Sequence, residues 1–356
     1  MKRTRYIALA VSLFAVVLFQ HVSCLGSFYT QNIYPVIGSI LCPISSLLPF
    51  AIGDLFIAAS IAWVLAYPVY AIAYKKEKKG KVFGCVAEYL AWVYVWFYAA
   101  WGINYSQPSI YQRIGMKPAE VSKQAFRNFA YRYADSLNTA YDAAYSNKTK
   151  QENWRQTVVA SVARGYENIN KTTDMGINTP FCRSARAKTM VFSRLSSMVG
   201  VTGSMSPFFC EFTLNADIQP HEYAYIYAHE YAHLLGITNE GEANFYSYMV
   251  CTAPSADRFS RFSAYFQVHF IVLKYVRELL GDNEYKAYIK RLRPEIIRLG
   301  ENDSRYWFAL RSPLLDSTQN FVYNLYLRSN KVEDGVKSYL GVLGMIMAWD
   351  AHQKSL

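Results

Sequence analysis

Apolar residues are gathered in the first third of the chain, in three long runs. Tyr6 to Cys24 has no acidic or basic residue apart from His21, a second run extends from Ala51 to about Tyr74, and a third from Val82 to about Gly102. Each is close to the roughly 20 residues that carry a helix across a bilayer. The pattern predicts three membrane spans, at 6–24, 51–74 and 82–102. The loop from Leu25 to Phe50 has no charged residue and is itself apolar, with IGSILCPISSLLPF at Ile37 to Phe50, so it is expected to lie in the interface or to dip into the bilayer. The next loop, KKEKKGK at Lys75 to Lys81, is crowded with lysine. Positive residues favour the cytoplasmic side, which puts the N-terminus and the lysine loop inside and everything after Asn104 outside. A basic start followed by an apolar stretch also fits a secretory signal. The QHVS before Cys24 is a poor lipoprotein cleavage site, however, and the later spans hold the chain in the membrane, so an uncleaved first helix is expected. Asp54 and Glu88 sit inside the second and third runs, each near a membrane end where water is close.

Beyond the spans the periodicity changes. Residues 104–117 read as a linker, because Pro108 and Gly115 interrupt any helical period, and Pro118 suits the start of the next helix. Apolar positions then recur three and four apart, which predicts helices at 119–145, 152–169, 185–198, 256–280, 283–299 and 332–352. The last contains VLGMIMAW, too short for a span and expected to be a buried core helix. VTGSMSPFFCEFTLN, Val201 to Asn215, alternates around glycines and a proline and reads as a loop with a short strand. The expected fold is mostly α: a three-helix transmembrane region at 1–103, a linker, and one largely helical extracytoplasmic domain at 118–356 with a small extended element.

Composition sharpens this picture only in places. The formal charge is +11, yet much of it lies in MKRTR and the lysine loop, and the rest is scattered without the clustered basic and aromatic pattern of a nucleic-acid binder. No nucleic-acid partner is expected, and an anionic membrane surface suits the charge better. Thirty tyrosines suggest a domain resting near lipid headgroups. The six cysteines make no CxxC pair, which argues against a cysteine-ligated zinc. Outside the membrane a disulfide is permitted, with Cys182 and Cys210 as the suggested pair.

The candidate chemistry lies in HEYAYIYAHEYAH, residues 221–233, where HEYA occurs twice and only the second copy is followed by histidine. Pro220 suits the first position of a helix that runs from His221 to Leu235 and stops at Gly236. On it, His229 and His233 are four apart and about 40° apart around the axis, so both imidazoles can reach one metal ion. Glu230, in the turn beside them, can act on a water at that ion. His221 is about 80° round from His229 and two turns away. It has no partner at the same offset and reads as a coincidence of composition. A third ligand is expected from EGEANF at Glu240 to Phe245, where Glu240 and Glu242 are the candidates and Asn239 is placed to cap a second helix.

HExxH followed by ExxAN resembles the gluzincin metallopeptidases. The resemblance implies Zn2+ as cofactor, a zincin-like domain, Glu240 as the third ligand with Glu242 as the alternative, and Asn244 as the outer partner of the site, with Ala243 keeping the two helices close. Asparagine stands at 244 where that family more often has aspartate. The chain as a whole is similar to a family of bacterial membrane proteins known as domain of unknown function 3810, through its three spans, GVTGSMSPF at Gly200 to Phe208, HEYAHLLGITNEGEANF, and DGVKSY at Asp334 to Tyr339. It implies a multi-pass protein of the bacterial inner membrane with its C-terminal domain in the periplasm.

The expected function is a membrane-anchored zinc metallopeptidase acting on a peptide or protein, with His229, His233 and Glu240 as ligands and Glu230 as base. Ser206 to Asn215 is the candidate edge strand for an extended substrate. Tyr326 or Arg328 is the candidate for stabilising the oxyanion. Intramembrane proteolysis fits poorly, since His221, Glu222, Glu240 and Glu242 make the segment too polar for a bilayer core. The competing class is a non-catalytic receptor or scaffold whose metal only ties two helices together.

Overall fold

The structure, a computed structural model, describes residues 2–119, 122–146, 153–173, 175–181, 185–313, 315 and 341–353. It divides into two compact units, one of Met1–Pro108, Phe181–Phe192 and Ser204–Thr213, the other of Ser109–Pro180, Ser193–Gly203 and Leu214–Leu356.

In the first unit, helices α1 (Lys2–His21), α2 (Tyr34–Ser46), α3 (Ile52–Ala73) and α4 (Lys79–Ala100) account for most of the chain. Of these, α1, α3 and α4 are long and apolar enough to cross a membrane. Their side chains are mostly turned outward, with Phe14, Leu65 and Phe83 exposed. A helix that is apolar all round needs an apolar medium, and 22 residues at about 1.5 Å each match the bilayer core. The expected interfacial loop is largely helical, since α2 fills most of it. Both acids within the apolar runs are partnered: Glu88 pairs with Arg5 at 2.5 Å, and Asp54 accepts the backbone N–H of Val191 at 2.9 Å.

Most of a three-stranded sheet of β1 (Lys188–Thr189), β2 (Gly203–Ser206) and β3 (Glu211–Leu214), in the order β1-β3-β2, belongs to the same unit. The helix expected at 185–198 is therefore confined to Ser193–Met198. The physical reason is a buried ion pair: Lys188 Nζ lies 2.5 Å from Glu211 Oε2 and donates to the Ser45 carbonyl at 2.6 Å. Glu211 Oε1 in turn accepts the Gly53 N–H at 2.6 Å. A Cβ at Gly53 would overlap the Ser206 side chain, so glycine is required for that approach. Cys210 is a free, buried thiol, pushed up to about 12 by burial, so the pairing of Cys182 with Cys210 is not made. Cys42 is the disulfide-bonded cysteine among the described residues.

The second unit is helical: α5 (Lys123–Tyr145), α6 (Trp154–Thr173), α7 (Tyr223–Leu234), α8 (Glu240–Thr252), α9 (Arg258–Tyr275), α10 (Asp282–Arg291), α11 (Pro294–Leu310) and α12 (Gly341–Gln353), with shorter elements between. Ser122, not Pro118, caps α5 by accepting the Ala125 N–H. The single helix expected at 283–299 is two, because Arg293 is extended and Pro294 opens α11. The linker expected at 104–117 contributes a short helix, Ile110–Arg113, and its Ile110 is fully buried. The core centres on α8, which packs against α7, α9, α12 and α6 and is buried almost all round. Many tyrosines belong to this core rather than to a headgroup surface. Tyr166 donates to the Ala228 carbonyl at 2.7 Å, Tyr133 to that of Tyr265 at 2.7 Å, and Tyr246 to that of Met175 at 2.5 Å.

Lys188→Met is expected to leave the Glu211 carboxylate buried without its cation and to cost about 3–5 kcal/mol. A lowered denaturation midpoint of the detergent-solubilised protein checks this, and an unchanged midpoint contradicts it.

Candidate metal centre

Two helix ends build the site. At the start of α7, the Glu222 carboxylate accepts the Gln219 N–H at 2.7 Å and closes a turn, so the helix begins at Tyr223. His221 therefore lies in the turn before α7, not on its first coil, and faces Asp303 at 3.0 Å. At the other end Gly236 takes φ +96°, a conformation that favours glycine, and stops the helix. That reversal returns the Ile237 N–H to the Ala232 carbonyl at 3.1 Å and presents the Ile237 carbonyl to His233 Nδ1 at 2.6 Å. Two residues further on, the Asn239 side chain accepts the Glu242 N–H at 3.0 Å and caps α8, which makes Glu240 its first residue.

The result is a convergence of three side chains. His229 Nε2 and His233 Nε2 are 3.0 Å apart, and Glu240 Oε2 lies 3.1 Å from the first and 3.5 Å from the second. A zinc ion with arms of about 2.0–2.1 Å has tetrahedral edges of roughly 3.3–3.5 Å, so the three atoms stand close to one face of such a tetrahedron. Their outer partners fix the protonation. A carbonyl can only accept, so His233 Nδ1 carries the hydrogen it donates to Ile237. His229 Nδ1 donates to Asn244 Oδ1 at 3.0 Å. In the neutral imidazoles both Nε2 atoms are then lone pairs, aimed at each other and at a carboxylate.

Such a cluster demands positive charge. Burial pulls the His233 imidazole down, yet Glu240 beside it pushes it up to about 9. Burial raises the Glu240 carboxyl, but the imidazoles, His233 first, overcome this and hold it well below the usual carboxylate range. Glu230 is buried next to them and burial raises it, against the pull of His229 and His233. Among the described residues no donor is hydrogen-bonded to the Glu230 carboxylate. Gly203 lies against it, and a Cβ there would overlap the carboxylate.

Of the sequence candidates, His229, His233 and Glu240 come together, Glu230 lies beside them, and Asn244 touches His229. Glu242 is engaged elsewhere: it pairs with buried Arg113 at 2.6 Å and accepts the Ile110 N–H at 2.9 Å. Tyr326 and Arg328 lie outside the described residues, as does DGVKSY. The sequence reading missed Tyr225, whose hydroxyl donates to Asn244 Oδ1 at 3.0 Å. Its signal was available, because 225, 229 and 233 share one helical face, and Tyr225 occupies the place where the first HEYA lacks its histidine. Gly203 and the Ile237 carbonyl carried no such signal. The candidate edge strand is also revised: Glu211–Leu214 is the central strand, paired on both sides, and the edges are Lys188–Thr189 and Gly203–Ser206.

A pH dependence follows. His233 has a folded value of about 9 against an ordinary 6.5, so in chelated protein its contribution to stability is full below 6.5 and is lost as pH rises through about 9. Zinc must displace that proton, so zinc affinity is expected to rise over the same window. Thermal melting and zinc titration from pH 6 to 9 check the two opposite trends.

No curated protein and no solved structure matches the chain. The model of the family described as Protein of unknown function (DUF3810) matches residues 29–347, and the chain belongs to that family.

Proposed function

We propose that the chain is a membrane-anchored zinc-dependent metallopeptidase that hydrolyses peptide bonds on the extracytoplasmic side of a bacterial inner membrane. The observation that carries this reading is the set of three converging lone pairs on His229, His233 and Glu240 with the unengaged Glu230 carboxylate beside it. A purely structural zinc is closed by four protein ligands. Such a closed site needs no base, and the Glu230 carboxylate beside His229, His233 and Glu240 favours catalysis over a scaffold.

Zinc held there supplies a coordinated water of lowered pKa and polarises the substrate carbonyl. The chain's own residues do the rest. His229 and His233 keep their Nε2 lone pairs inward because Asn244 and Ile237 hold their Nδ1 hydrogens. Glu230, raised by burial, takes the proton of the attacking water and delivers it to the leaving amine. The absence of a side chain at Gly203 leaves the Glu230 carboxylate room. The outward orientation is supported by the lysines of residues 75–81 between the second and third apolar helices.

The test uses the full chain in detergent. One zinc per chain is expected in the parent and in Glu230→Gln, and none in His233→Ala. Cleavage of a mixed peptide library is expected to fall about 10²–10⁴-fold in Glu230→Gln. Zinc-loaded parent that cleaves nothing, or cleavage untouched by Glu230→Gln, overturns the peptidase reading.

A further inference from the structure

His221, which the HExxH chemistry leaves aside, belongs to a second cluster. Its Nε2 lies 3.0 Å from Asp303 Oδ1 on α11, and the adjacent Glu222 completes a group whose ligand atoms all fall within 4.8 Å of one another. The cluster is enclosed, with the His221 and Asp303 side chains only 9% and 10% exposed and Glu222 buried. Among the described residues every donor hydrogen-bonded to Glu222 is neutral: the Gln219 N–H at 2.7 Å, Trp307 Nε1 at 2.9 Å and the Gln267 amide at 3.5 Å. The Phe266 ring lies edge-on to His221. The second oxygen of Asp303 accepts no hydrogen bond among the described residues.

The charge does not balance. Two carboxylates share this enclosure, and among the described residues the charged groups acting on Glu222 are Asp303, which opposes its ionisation, and His221, which favours it. A proton on His221 answers Asp303 and leaves Glu222 without a cation. Burying an unpaired carboxylate is costly, and a divalent ion bound by both acids and the imidazole removes the cost. Nitrogen and oxygen ligands select a first-row transition metal over calcium. His221 Nε2 and Asp303 Oδ1, 3.0 Å apart, can share one ion, and one imidazole with two carboxylates suits Mn2+.

We propose that His221, Glu222 and Asp303 form a second divalent-metal site, separate from the HExxH centre, that takes an ion of the Mn2+ class and ties the turn before α7 to α11. The site is independent of the peptidase reading.

The experiment titrates Mn2+ into full-length His233→Ala, which lacks one HExxH ligand, and follows the free-ion Mn2+ electron paramagnetic resonance signal together with thermal melting. One Mn2+ is expected to bind and to raise the melting temperature. Adding Asp303→Asn is expected to weaken that binding by about a hundredfold or more, beyond what loss of an outer partner costs. If that variant fails to fold, His221→Gln in the same background serves in its place and the same loss is expected. No binding at millimolar Mn2+, or binding that neither Asp303→Asn nor His221→Gln weakens, overturns the proposal. Absence of zinc from the parent, by contrast, bears only on the HExxH centre.

Discussion

Two imidazole nitrogens and a carboxylate oxygen, on His229, His233 and Glu240, are held 3.0 to 3.5 Å apart in a buried place, an arrangement that favours a proton or a metal cation among them. The surrounding chain is arranged so that they cannot turn away. Gly236 reverses the backbone to aim the Ile237 carbonyl at one imidazole, and Asn244, held by Tyr225, fixes the other. Asn239 starts α8 one residue before Glu240. Glu242, two residues beyond, is locked by Arg113, which also bonds Tyr246. Side chains this constrained are preorganised for the zinc proposed here, so little of its binding free energy would go to ordering them.

A polar centre inside a helical core is tolerable only if its neighbours are satisfied. Here tyrosine supplies much of that satisfaction. Its ring fills the space between helices, and its hydroxyl donates to helix carbonyls, as Tyr166 does at Ala228 on the HExxH helix itself. The abundance of tyrosine is thus explained in good part by packing. The same economy appears in the first unit, where Lys188, Glu211 and the Gly53 N–H satisfy one another within a buried network at the sheet.

Legibility in the sequence followed the range of the interaction. Three apolar runs were visible because a span is a local property, and the described helices match them within a few residues. The spacing of His229, Glu230 and His233 was visible because a helix repeats every 3.6 residues, and Glu240 because its capped helix follows directly. Long-range pairings were not. Nothing near Lys188 signals Glu211, so residues 185–192 read as helix although none of them is helical and Lys188–Thr189 is a strand. His221 was placed on the helix because Glu222 closing its own turn onto Gln219 is a tertiary detail of a few ångströms, and its partner Asp303 is distant in sequence. Arg113 read as part of a linker because its partner, Glu242, is also remote in the chain. The pairing suggested for Cys210 failed for the same reason, since cysteine connectivity is set by the fold.

The central claim is that a zinc ion sits among His229, His233 and Glu240. Zinc-edge X-ray absorption of the purified full-length protein tests it most directly. About three or four nitrogen and oxygen neighbours at about 2.0–2.1 Å, two of them imidazoles, are expected, with no sulfur. A sulfur shell near 2.3 Å, or protein that folds without retaining zinc even after zinc is supplied, would contradict it.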